Sequence, residues 1–425
     1  MKVSIKSTTF RAFQNRNYRL FFCGQTVSQI GTWMQRTAVS WVIYTMTHSA
    51  LMLGLTVFAQ QVPSSLLSLY GGIISDRYSR YKILLVTQTA SLVQAILLAV
   101  LVLTNHYTVW EILSLSVVLG IINAFDVPAR QPLVHEMVNN KEDLPNALSL
   151  NSAMVNMARL VGPALSGIVL QRFGAGVCFL LNALSFVAVL TSLLLMNLPP
   201  YDLSPVKKKL KSELAEGFAY LKKTPAISMI LLVLTLISLL VLPYNTLLPI
   251  FAKVIFKGDA ATFGYINSFL GLGALTGTFF LASLKPGTDR KKVLFANSIV
   301  LGIALMLFSH ISSFPVAMVF AVLCGFGTMS MTTTCITIVQ VESDKNMRGR
   351  VMSYVALGYF GMLPLGSVLT GFISQQMGAP NALLLQGITS LVIAAIFFKF
   401  LMREKPDKKT IVQSEKEDDI IAESI

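Results

Sequence analysis

The sequence has 425 residues, 54% of them hydrophobic and 13% charged, with a formal net charge of +14 and a mean hydropathy of +0.66. Soluble domains run at about 25% charged residues, so this composition argues against a water-soluble enzyme. Its four cysteines (Cys23, Cys178, Cys324 and Cys335) each stand alone in an apolar run, which argues against a disulfide framework and against a zinc site.

Hydropathy predicts twelve membrane spans, at 18–45, 51–75, 83–104, 109–130, 146–170, 174–197, 226–252, 260–284, 292–311, 314–340, 350–373 and 380–402. At about 20 residues each they use about 240 residues. The two tails, the loops and the adjoining span ends on one side hold 28 of the 34 Lys and Arg, and the opposite loops hold only Arg172, Lys253 and Lys257. The positive-inside rule then puts both termini in the cytoplasm. The basic balance is topological, so nucleic acid is not an expected partner. The N-terminus is basic but shows no cleavage site, and span 1 reads as a retained anchor.

Span 1 carries Gln29, Trp33, Arg36, Ser40 and Tyr44 at spacings of 4, 3, 4 and 4. A polar stripe of that period in an apolar helix should face water or substrate. Between spans 2 and 3 stands Gly71, Gly72, Asp76, Arg77, Arg80 and Lys82. The glycines permit close helix approach, and the aspartate can accept from an open helix N-terminus. Span 4 holds Glu111, Asn123 and Asp126. At 1.5 Å per residue, Arg36 lies about 27 Å up span 1, level with Glu111 and not with Asp126. Arg36–Glu111 is therefore the pair compatible in depth. Asp126 is level with Arg77 and Arg80, and a bridge to one of them is expected. Arg159 in span 5 has no acid at its depth; it either faces a central cavity and attracts an anion, or bonds to carbonyls opened by Pro163.

The polar stretch 198–225 opens with Pro199 and Pro200, carries Lys207–Lys209 and Lys211, and sets Leu210, Leu214, Phe218 and Leu221 on one helix face. That face suits either the anionic lipid surface or the protein's own cytoplasmic side. The expected organisation is a six-helix bundle at 1–197, a linker at 198–225, a second bundle at 226–402 and a disordered cytoplasmic tail at 403–425. The halves echo one another: Asp76-Arg77 and Asp289-Arg290 are offset by 213, Gly120 and Gly325 by 205, Pro163 and Pro364 by 201. Duplication of this kind builds transporters. In span 7, Pro243, Tyr244, Asn245 and Pro249 mark broken helix near a site. Span 10 offers Thr333, Thr337 and Gln340. Such stripes line cavities or merely join helices.

The glycine–Asp76-Arg77 loop resembles the signature loop of the major facilitator superfamily, with Ser79 where that family commonly has glycine and Tyr81 interrupting the basic pair. The stretches 10–22, 31–35, 124–132, 151–152, 156–167, 348–353 and 364–366 resemble its third drug:proton antiporter subfamily, that of the enterobactin exporter and macrolide efflux proteins. The resemblance covers about residues 10–400. It implies an all-α integral membrane fold with twelve helices in two pseudo-symmetric bundles. It also implies a cavity lined by spans 1, 4, 7 and 10, and a conformational gate of Gly72, Asp76, Arg77, Arg80 and Asp126 with Arg350. Gly162, Pro163 and Gly167 resemble the superfamily's antiporter motif, which seals spans 5 and 8; Gly273-x-x-x-Gly277 reads as its partner in span 8.

The expectation is a secondary transporter of the bacterial cytoplasmic membrane that exports amphipathic small molecules (drugs, a siderophore or a metabolite) by alternating access. Proton antiport is implied by the resemblance. It is expected to act as a monomer without cofactor or metal, and not as an enzyme: no Walker sequence, HExxH, carboxylate pair or Ser–His arrangement occurs. Lipid flipping or uptake on the same scaffold is the competing reading, and a non-transporting sensor or scaffold is the alternative from another class.

Overall fold

The computed structural model describes residues 10–138, 141–198, 210–285 and 287–403. The proline opening of the linker, its lysine run and the C-terminal tail lie outside them. Twelve long helices appear among the described residues: α1 Arg16–Thr47, α2 Ala50–Arg77, α3 Arg80–Leu103, α4 Val109–Met137, α5 Leu144–Phe173 and α6 Ala175–Leu194 form one bundle. The second comprises α7 Pro225–Ile255, α8 Ala260–Ala282, α9 Arg290–His310, α10 Phe314–Glu342, α11 Arg348–Met377 and α12 Ala379–Arg403. Eleven are long and apolar enough to cross a membrane. The remaining helix, α1, carries Gln25, Gln29, Gln35 and Arg36. "Near end" here denotes the end where α1 starts, and "far end" the opposite one.

Helix starts follow their caps. Ser49 accepts from the Met52 N–H, and Thr108 and Asp259 form capping boxes with Glu111 and Thr262. Gly174 and Gly378, at φ +81° and +85°, end α5 and α11 at matching places in the two halves, a conformation that favours glycine. The repeat extends to packing. Gly120 lets α4 lie against the Gln60 carbonyl of α2, and Gly325 lets α10 lie against the Leu270 carbonyl of α8. Arg80 pairs with Glu136 at 2.6 Å, and Lys291 with Glu342 at 3.8 Å, each joining the start of one helix to the end of the next.

Helix α4 continues to Met137, seven residues past the expected end, through Pro128 and Pro132. Each proline frees the carbonyl four residues earlier, and α2 meets both. Ser75 Oγ donates to Pro128 O at 3.1 Å, and Gly71 closes on the Ala124 carbonyl. Pro364 in α11 likewise frees Phe360 O, which accepts from Ser65 Oγ of α2 at 3.0 Å. That bond crosses between the halves.

The linker helix Leu210–Lys223 packs on the protein's own near face rather than standing free. Glu216 pairs with Arg350 at 2.8 Å, Tyr220 Oη accepts from the Asp344 N–H at 3.1 Å, Gly217 lies against Tyr354, and Leu221 is buried. Phe218, placed by its spacing on the same apolar face, remains exposed beneath Lys222.

Candidate transport cavity

The halves close on each other at the far end. Trp41 of α1 stacks on Phe263 of α8 with ring centroids 5.9 Å apart, and Lys253 Nζ lies 5.9 Å from the Trp41 ring. Gln171 at the end of α5 donates to Asp259, which caps α8. Gly167 and Gly264 let α5 and α8 touch: a Cβ on Gly264 would lie 2.7 Å from the Pro163 carbonyl oxygen. The expected partner of the antiporter-type motif is thus corrected. Gly273 and Gly277 instead face α10, against Val322 and Phe326, while Gly264 and Gly271 face α5. Ser166, beside Gly167, is fully buried and donates to Met34 O of α1 at 3.1 Å.

Beyond the Ser65–Phe360 bond, α2 and α11 part toward the near end. Gly72 and Gly349 face open space, and Leu66, Tyr70 and Leu357 are exposed. At the floor of this cleft α7 loses its regular ladder: a 3₁₀ stretch at Leu242–Leu247 precedes a π turn at Phe251–Ile255. Span 7 was expected to break here, and Pro243 and Pro249, which cannot supply helical donors, account for it. The π turn at Leu357–Gly361 in α11 had no clear sequence signal.

Trp33 lies at the middle of the cleft. Arg36 Cζ and Arg159 Cζ each lie 5.3 Å from its ring centroid, within cation–π range. Gly162 makes room, because a Cβ there would come within 2.5 Å of Trp33 Cβ. Arg159 Nη1 also reaches Met329 Sδ of α10 at 3.9 Å, across the cleft, so it faces the cavity rather than the carbonyl opened by Pro163. Tyr244 is buried and shares a 3.2 Å hydrogen bond with Thr328. Asn245 is exposed, and its Nδ2 donates to Leu242 O at 3.4 Å. Gln29 and Asn123 are half-buried, and Ser40 donates back to Arg36 O.

Several expected placements are corrected. Glu111 does not pair with Arg36: it is exposed and folds back onto the Thr108 N–H at 2.6 Å, closing the capping box. Thr-x-x-Glu is the sequence signature of that box, so the signal was legible at 108–111. Thr333 and Thr337 line a separate 340 Å³ pocket with Lys285 and Arg290, and Gln340 is exposed at the near end. Asp126 bridges Arg130, at 3.4 Å, and accepts from Thr87 and Gln88; Arg80 is taken by Glu136 and approaches Asp76 at 3.9 Å. Arg77 is exposed, and Arg350 is held by the linker helix, so of the expected gate residues only Asp76 and Arg80 pair with each other. A larger cavity of 940 Å³ opens beside the signature loop between α3 and α4, but Val86, Ile121 and Phe125 make its walls apolar.

Sequence reasoning did not find the brace behind Trp33. Gln35 Nε2 donates to Gln94 at 3.0 Å and Asn182 Nδ2 donates to Gln35 at 2.7 Å, joining α1, α3 and α6. Asp126 is a similar brace. Asp126→Ala leaves Arg130 and Gln88 without their acid in a site that is 6% exposed on the Asp side, and a loss of about 3 kcal/mol is expected. Asp126→Asn should lose less. Thermal unfolding of the detergent-solubilised variants measures the difference.

Two repeated bundles that meet at one end around a polar floor at half depth define a secondary transporter of the major facilitator kind. The chain belongs to the family described as Transmembrane secretion effector, which it matches over residues 7–425. It is 28% identical over 393 residues to the staphyloferrin A transporter of Staphylococcus aureus, covering 89% of this chain and 95% of that one. It is 21% identical to macrolide efflux protein A of Streptococcus pyogenes, covering 89% and 96%. A bacterial homolog of the human lysosomal transporter Spinster, solved inward-facing and unoccupied, shares the fold at a TM-score of 0.72 and 14% identity, covering 92% and 99%.

Proposed function

We propose that this protein exports amphipathic small molecules across the bacterial cytoplasmic membrane by alternating access, with its near end cytoplasmic. The observation that carries this reading is a cleft sealed at one end and open at the other, whose floor is built on the broken helix α7. The excess of Lys and Arg on the near side supports the orientation, and the macrolide efflux relative supports the direction. The state described here is then inward-facing.

Coupling to protons is the reading that the family supports. The protein works as a monomer in this scheme. In inverted vesicles holding a proton gradient, at least one of a panel of amphipathic dyes should accumulate only when the protein is present, and nigericin should abolish the accumulation. Uptake that survives nigericin removes proton coupling, and absence of any protein-dependent uptake removes export.

A further inference from the structure

We infer that the centre of the cleft is a binding site for organic anions, in which Arg36 and Arg159 hold the acidic groups and Trp33 carries the flat apolar body. The inference rests on the export reading for its purpose, but not for its geometry.

Both guanidinium carbons lie 5.3 Å from one indole centroid, so they are at most 10.6 Å apart. Arg159 sits at the middle of α5 and Arg36 about two-thirds of the way along α1, both inside the membrane span, where an ionised group is strongly disfavoured unless it is paired. Among the described residues, no carboxylate lies within the 4.0 Å of an ion pair for either one. The acids that could serve are engaged elsewhere: Glu111 in its capping box and Asp126 with Arg130, Thr87 and Gln88. Arg159 Nε is buried with no hydrogen-bond partner, and its Nη1 meets the Met329 sulfur at 3.9 Å. Two like charges held close together without an acid need a counter-charge, and the cleft is open to admit one.

A guanidinium is a planar fork of donors that matches carboxylate, sulfonate or phosphate oxygens two at a time. Trp33 offers the surface between the forks, and Gly162 behind it fixes where the indole stands. The ligand class that fits is therefore an amphipathic molecule bearing at least one acidic group on an aromatic or other flat apolar body. Cationic amphiphiles are disfavoured by the same two charges.

The test compares two dyes on one xanthene framework: anionic 5-carboxyfluorescein and cationic rhodamine 123, whose carboxylate is blocked as a methyl ester. Binding is read by fluorescence anisotropy on protein in phosphatidylcholine nanodiscs, with empty discs subtracted. The anion should bind at least about tenfold more tightly. Arg36→Gln and Arg159→Gln should each weaken it by about tenfold to a hundredfold without weakening rhodamine 123. Arg159→Lys keeps the charge and should keep the preference while losing affinity, which holds the test open if a glutamine variant fails to fold. Equal affinity for both dyes, preference for the cation, absence of carboxyfluorescein binding, or indifference to both glutamine replacements would overturn the site. Phosphatidylglycerol discs form a further arm: if the lipid displaces the dye, the site belongs to a lipid headgroup and the soluble-anion assignment falls. Anion binding without dye accumulation in vesicles would sink the export reading and leave the site standing.

Discussion

Bridging position 41 to position 263 with a cleavable bismaleimide should stop transport completely, and cleaving the bridge should restore it. The protein for this experiment carries Trp41→Cys and Phe263→Cys, with Cys23, Cys178, Cys324 and Cys335 replaced. In the native chain these two rings stack at 5.9 Å and belong to opposite halves, so a covalent link holds the far end shut. Alternating access needs that end to open, and no rearrangement within either bundle substitutes for it. Binding from the near end should survive, because the cleft there is untouched. Dye accumulation in vesicles before and after cleavage measures the effect; undiminished transport with complete bridging would mean that the far end is not the exit.

Gly264→Leu should produce the opposite defect, a far end that cannot seal. Its Cβ would sit 2.7 Å from the Pro163 carbonyl oxygen and 2.8 Å from Gly167 Cα, both backbone atoms that no rotamer change can move aside. Overpacking of this kind costs about 1–3 kcal/mol. Spent against one of two states, that cost shifts their ratio by about 5–150-fold. A membrane-impermeant maleimide should therefore label a cysteine at position 41 far more readily in intact cells, and transport should fall toward background. Gly273→Leu is the control. It points to α10 inside the same half, so it should lower thermal stability without raising labelling. Equal labelling in the two variants would remove the sealing role of α5 and α8.

The number and order of the helices were legible because twenty-residue apolar runs leave few alternatives, and the break in α7 was legible because Pro243 and Pro249 cannot be helical donors. Partner choice was much less so. Gly273-x-x-x-Gly277 has the right pattern for close packing, but the pattern does not say which of two neighbours a helix face meets. In α8 one face carries Gly264 and Gly271 toward α5, and the other carries Gly273 and Gly277 toward α10. Depth alone paired Arg36 with Glu111; the acid lies at a helix start, where backbone N–H groups compete for it and are closer. The Thr-x-x-Glu spacing contained that answer. The central cluster was half legible: Trp33, Arg36 and Arg159 each stood out, yet their meeting depends on Gly162, whose role appears only once α1 and α5 are set side by side.

Regular and irregular backbone are distributed unequally. Trp33, Arg36 and Arg159 stand on uninterrupted helices braced by the bonds of Gln35 to Gln94 and Asn182, whereas the 3₁₀ and π turns that interrupt the long bundle helices fall in α7 and α11 of the other half. One half is thus an anvil and the other a compliant jaw. Replacements that alter which cargo is accepted should gather on the anvil, and those that alter turnover alone should gather on the jaw, so a drifting lineage could retune its appetite and its pace independently.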